Sequence, residues 1–198
     1  MKKQLNPAED KPLRPKRADA QRKMRSLLKA ATEIFAKSGV DAPVREIAER
    51  AGVGLGTVYR HFPQRSDLIV AVFQSNVDAC ADAAPALAKE HPPIQALSLW
   101  MERYVDFIGT KHGLCKALYS GDAAYKALPE YFNKRLRPAL ITLLQAAVEA
   151  KAVRSDADPD DLLVAAANLC NAGHGRDPQH ARRMVELLIN GLRYGAAN

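Results

Sequence analysis

Two pairs of side chains stand at spacings that could do chemistry: Cys170 with His174, four residues apart, and His112 with Cys115, three apart. On a helix either spacing brings a thiol and an imidazole to one face, as a metal-ligand pair or as a nucleophile with its base. A metal site needs three or four ligands, and no third ligand is evident near either pair. Gly173 and Gly175 should end the helix before His174. Catalysis by Cys115 with His112 as base needs an orienting third group and an oxyanion hole, and nothing marks them. The expectation is no catalytic site, no metal and no cofactor. Metal or redox sensing through these Cys and His residues stays open as an alternative.

A different chemistry is written in Leu55-Gly56-Thr57-Val58-Tyr59-Arg60-His61. Gly56 and Thr57 carry little bulk, so a helix starting there can lie flush against a duplex, and its N–H groups favour a phosphate. Thr57 offers a methyl and a hydroxyl to base edges, while Tyr59, Arg60 and His61 can reach phosphates. These residues need a frame. Val44, Ile47, Ala48 and Ala51 follow helical spacing, Gly52 stops that helix, and Val58 with Phe62 forms an apolar pair in a second short helix ended by Pro63. Helix, glycine-containing turn, helix is the outline of a helix-turn-helix. An ordinary helical hairpin with a polar outer face has the same periodicity.

Charge supports a polyanion partner. Residues 1–65 hold 15 basic and 7 acidic side chains, whereas residues 66–198 hold 14 and 15. The basic character thus belongs to the first third of the chain, and nine basic residues against three acidic ones lie in Met1–Arg25 alone. Nucleic acid is the first candidate and an anionic membrane the second. Apolar runs such as Leu162–Ala167 are far shorter than the roughly 20 residues of a membrane span. Met1–Arg17 lacks the apolar centre of a secretory signal, and three widely spaced cysteines make no disulfide framework. A cytoplasmic protein is expected.

The remaining chain reads as helices. One should start near Ala18–Gln21 and run to Ser38, with Gly39 as its stop. Others are expected from about Ser66 towards Pro85, over Ile94–Ile108 to Gly113, over Leu114–Ser120, and over Glu130–Lys151 with a bend at Pro138. Asp158-Pro159 and Asp177-Pro178 each place a capping Asp before a helix-starting Pro, and Gly195 would end the last helix. Sustained alternation is absent, so the class is all-α with about nine helices. The expected organisation is a disordered basic arm at 1–17, a helix-turn-helix domain at 18–65 and a ligand-binding and dimerisation domain at 66–198.

The string Val44-Arg45-Glu46-Ile47-Ala48-Glu49-Arg50-Ala51-Gly52-Val53-Gly54-Leu55-Gly56-Thr57-Val58-Tyr59-Arg60-His61-Phe62-Pro63 resembles the DNA-binding domain of TetR-family regulators. Ala30–Ala36 before it and Arg65-Ser66-Asp67-Leu68 after it are also similar, so the resemblance covers about residues 18–75. It implies a homodimeric repressor that binds a palindromic operator and is released by a small, mostly apolar effector. It implies DNA contacts from Arg45, Gly54, Leu55, Gly56, Thr57, Tyr59, Arg60, His61 and Arg65. Pro43 and Gly54 stand where the family prefers capping hydroxyls, Leu55 where Lys or Ser is frequent, and Gln64 where a Ser cap is frequent.

Trp100, Tyr104, Phe107, Tyr119 and Phe132, with Tyr125 among them and His112 beside them, are the expected effector-pocket residues. Leu162, Leu163, Ala166 and Leu169, with Met184, Leu187, Leu188 and Leu192, are the expected dimer surface, pairing into a four-helix bundle. A helical ligand-binding or interaction module without sequence-specific DNA binding is the alternative from another class.

Overall fold

The computed structural model describes residues 14–112, 114–171 and 179–194. Among them lie nine α-helices: α1 (Arg14–Ser38), α2 (Val44–Ala51), α3 (Leu55–His61), α4 (Arg65–Glu90), α5 (Pro93–His112), α6 (Cys115–Leu118), α7 (Leu128–Glu149), α8 (Pro159–Asn171) and α9 (Gln179–Arg193). A 3-10 turn, Ala123–Tyr125, precedes α7. No strand occurs among the described residues, so the chain is all-α as expected. Gly113, His174, Asp177-Pro178 and Gly195 lie outside the described residues.

Three boundaries differ from the sequence expectation. α1 begins at Arg14, because Pro15 falls in its first turn, where a missing N–H costs nothing. The helix therefore takes over the last residues of the expected arm. α4 passes through Pro85 to Glu90. Pro85 is exposed, while Ala81, Ala84 and Leu87 on the other face are buried, and that burial offsets the lost hydrogen bond. α7 starts at Leu128 with Pro129 in its first turn and runs through Pro138.

α4 is the spine. It packs on α5 and α7, and both α4 and α5 also pack on α1. The centre of the body is aromatic: Trp100 stacks on Tyr104 with centroids 5.9 Å apart and planes at 4°. Phe107 and Phe132 surround Tyr104, each at 6.2 Å. Their polar ends are satisfied, as Trp100 Nε1 donates to the Cys80 carbonyl (2.9 Å) and the Tyr104 hydroxyl to the Leu163 carbonyl (3.1 Å). Tyr131 and Arg135 on α7 reach back to α4, the tyrosine hydroxyl donating to Asp78 (2.8 Å) and the guanidinium to Asp78 (2.7 Å) and Asp82 (2.6 Å).

α8 and α9 pack on each other and on α5, so much of their expected dimer stripe is spent inside the chain. Leu162, Leu163, Ala166 and Leu192 are buried in the chain's own core. Leu169, Met184 and Leu188 are half-buried. The apolar side chains left outermost are Leu187, 63% exposed, and Val164, 59% exposed. No helix among the described residues is long and apolar enough to cross a membrane.

Candidate nucleic-acid interface

The reading unit is assembled from short pieces. Val44, Ile47 and Ala48 of α2 and Val58 of α3 are buried, with Ala51, Val53 and Phe62 packed at their edge. Gly52 closes α2 at φ 67°, where its N–H bonds to the Glu49 carbonyl (3.1 Å) and the Val53 N–H to the Ala48 carbonyl (3.0 Å). A Cβ at Gly52 would meet nothing within 4 Å, so the left-handed backbone demands glycine here and close helix approach does not. Gly39 plays the same part after α1, at φ 75°.

α2 and α3 start on Pro43 and Gly54, and neither N-cap supplies a side-chain hydrogen bond. The outer face of α3 then presents Leu55 (39% exposed), Gly56, Tyr59 (51% exposed), Arg60 and His61, with Thr57 half-buried. A Cβ at Gly56 would also point into open space, so the face is flat there by composition. Arg45 on α2 is exposed and paired with Glu49 at 3.1 Å. Such a pair between two mostly exposed groups is weak and can give way to a phosphate. Arg50 pairs instead with Glu33 of α1. That guanidinium bonds the Glu33 carboxyl and holds it below the ordinary carboxylate range.

Arg65 sits differently from the other basic residues. Its guanidinium donates to the carbonyls of Val40 and Ala42 (2.7 Å to the latter) in the α1–α2 loop, so it faces the protein backbone. Gln64 caps α4 in place of a serine, its side chain accepting from the Asp67 N–H while the Gln64 N–H donates to the Asp67 carboxylate (2.8 Å).

The expected pocket residues separate into two groups. Trp100 is wholly buried in the stack and lines no described cavity. Tyr119 (76% exposed) and Phe132 instead border a cavity of about 260 Å³ with Phe73, Tyr125, Leu128 and Asn133. Behind Phe132, a second cavity of about 330 Å³ is lined by Tyr104, Ile108, Asn133, Leu163 and Val164. Phe107 borders a third, smaller space with Cys80 and Arg103. The side chains of His112 and Cys115 lie outside the described residues. Phe73 of α4 and Leu128 of α7 were not expected at a cavity, because their apolar spacing is that of any core residue.

Cys170 is buried, and burial raises its thiol pKa. Cys80 is pushed up to about 12 by burial above all. Burial thus disfavours the thiolate form at both positions.

A helix-turn-helix with an exposed, flat second helix, set on a helical body with apolar cavities, defines a DNA-binding transcription regulator. Residues 27–72 match the family profile of bacterial regulatory proteins of the tetR family, and residues 92–194 match the SbtR-like transcriptional regulator C-terminal domain. The TetR transcriptional regulator SCO0520 of Streptomyces coelicolor is 35% identical, covering 85% of this chain and 97% of its own, with a TM-score of 0.76. A TetR regulatory protein of Mycobacterium vanbaalenii is 36% identical over 90% of this chain and 99% of its own, with a TM-score of 0.71. The transcriptional activator FasR of Mycolicibacterium smegmatis is 38% identical over 84 residues, 41% of this chain, and the match spans 38% of FasR's length. The chain belongs to the TetR family of transcriptional regulators.

Proposed function

We propose that the chain is a ligand-responsive repressor that binds a palindromic operator as a homodimer and is released by a small, mostly apolar effector. The carrying observation is the placement of α4, which leaves the reading unit at Arg65 and contributes Phe73 to the wall of the 260 Å³ cavity. The cavity wall is aromatic and aliphatic with Asn133 as a polar group, which suits an uncharged apolar molecule. An effector shifts operator affinity only if it binds the two geometries of the protein unequally.

Base readout falls to Thr57 and its neighbours, with Arg45, Tyr59, Arg60 and His61 on phosphates. The functional division is a basic arm at 1–17, a reading domain at 18–65 and a regulatory domain at 66–198, acting in the cytoplasm. One short helix reads few base pairs, so two copies reading two half-sites are needed. Val164 and Leu187, with half-buried Leu169, Met184 and Leu188, form the surface on which α8 and α9 of two copies pack.

The test is a titration of palindromic fragments from the neighbouring promoter with purified protein at several salt concentrations. Saturable binding that weakens steeply with salt supports the proposal. Absence of binding at low salt overturns it in favour of a ligand or interaction module. FasR is named an activator, so a promoter–reporter fusion fixes the sign of regulation: lower output with the protein present is expected of a repressor.

A further inference from the structure

We infer that Arg65 is a positioning residue, a clasp that ties the α1–α2 loop of the reading unit to the helix bearing the cavity wall. The inference rests on the DNA-binding reading above and extends it to how the reading unit is held. A basic residue at this place, by resemblance alone, was expected to approach a phosphate. The geometry points elsewhere: the two carbonyls it bonds, Val40 and Ala42, lie 25 and 23 residues back in sequence, in the turn that leads into α2. Val40 and Ala42 are themselves buried, so the turn they belong to is anchored on both its apolar and its polar side.

What lies on the far side of Arg65 gives the clasp its meaning. Arg65 is the first residue of α4, and Phe73 stands about two helical turns further on, in the cavity wall. The 3-10 turn Ala123–Tyr125 packs on α4, and its Tyr125 lines the same cavity. Burial, with Asp122 second, raises the Tyr125 hydroxyl pKa. One guanidinium thus joins the start of the cavity-bearing helix to the loop that aims α2 and α3. A second tie runs from Thr32 of α1 to Asn76 of α4 at 3.3 Å.

Two substitutions separate this role from phosphate binding. Arg65→Lys keeps the charge but on a shorter side chain, which falls short of the position from which Nη1 alone bonds both carbonyls, and Arg65→Met removes the charge. Both variants of the full chain are compared with the wild type by amide hydrogen exchange without DNA, and by binding to a duplex selected by the wild type from a random pool, over a salt series. Expected is several-fold faster exchange over residues 39–53 in both variants, with α5 and α7 unchanged. Affinity should fall about tenfold or more in both variants, and the slope of log affinity against log salt should stay at the wild-type value. Unchanged exchange over residues 39–53 overturns the clasp. So does a wild-type affinity for R65K together with a slope flattened by about one unit in R65M, the signature of a lost phosphate contact. Exchange needs no DNA, so a wild type that selects no duplex would sink the DNA-binding reading while exchange still decides the clasp.

Discussion

α3 buries one of its seven residues, Val58, whereas α5 buries eight of the eighteen whose side chains are described, among them Trp100, Met101 and Tyr104. The first helix gives up packing to keep a face for a duplex, and the second gives up any surface role to hold the body. The reading unit consequently depends on devices other than buried area: Gly39 and Gly52 set its turns, the Gln64–Asp67 capping box fixes the exit, and Arg65 pins the loop. Segments with few buried contacts open at low free energy, while a stacked aromatic core opens only on global unfolding. A regulator benefits from that difference, since its reading unit can shift without loss of the body.

The contrast can be broken most forcefully from the body. Trp100→Ala removes the centre of the stack and should cost about 3–5 kcal/mol in urea unfolding, and a cost near zero would mean the aromatic layer is not the core. Gly52→Ala acts in the reading unit through backbone strain alone, because the space beside it is open. It should cost about 1–2 kcal/mol, measured by thermal unfolding, with Gly56→Ala as the comparison that leaves stability nearly unchanged. Arg60→Ala should leave folding within about 0.5 kcal/mol of wild type while flattening the salt dependence of DNA binding by about one unit. The smallest effect belongs to Cys80. Its pKa rises from about 9 to about 12 on burial, so the neutral thiol favours the folded state at lower pH, and that contribution fades as pH climbs from about 9 towards 12. Thiol labelling at pH 8 should be slow in native buffer and fast in urea.

The two regions also differ in how far their sequence disclosed them. The all-α class and the α2–turn–α3 unit were legible because their signals are local: apolar spacing at Val44, Ile47 and Ala48, and glycines where φ is positive. The helix starts at Arg14 and Leu128 were missed because a proline inside a first turn looks like a break. In the body, spacing located the aromatics but could not tell which were stacked and which bordered space, as core and cavity use the same residue types. Trp100 and Phe132 show the two outcomes. The dimer stripe is ambiguous for the same reason: Leu162 and Leu163 are buried where α8 packs on its own chain, and apolar spacing alone does not separate them from outward residues such as Leu187. Arg65 was legible as a basic residue at a helix start, but its partners lie more than twenty residues away and leave no periodic trace.

The central claim is that a nearly uncharged surface around Gly56 and Thr57 reads sequence while the surrounding basic residues supply general attraction. It is tested most directly by measuring, for wild type and Thr57→Ala, affinity for a selected palindromic duplex and for its scrambled counterpart at one salt concentration. The expected result is a strong preference for the palindrome in the wild type, reduced by about 1–3 kcal/mol in the variant, with affinity for the scrambled duplex unchanged. A wild type that binds both duplexes equally, or a variant that loses affinity for both to the same extent, would contradict it.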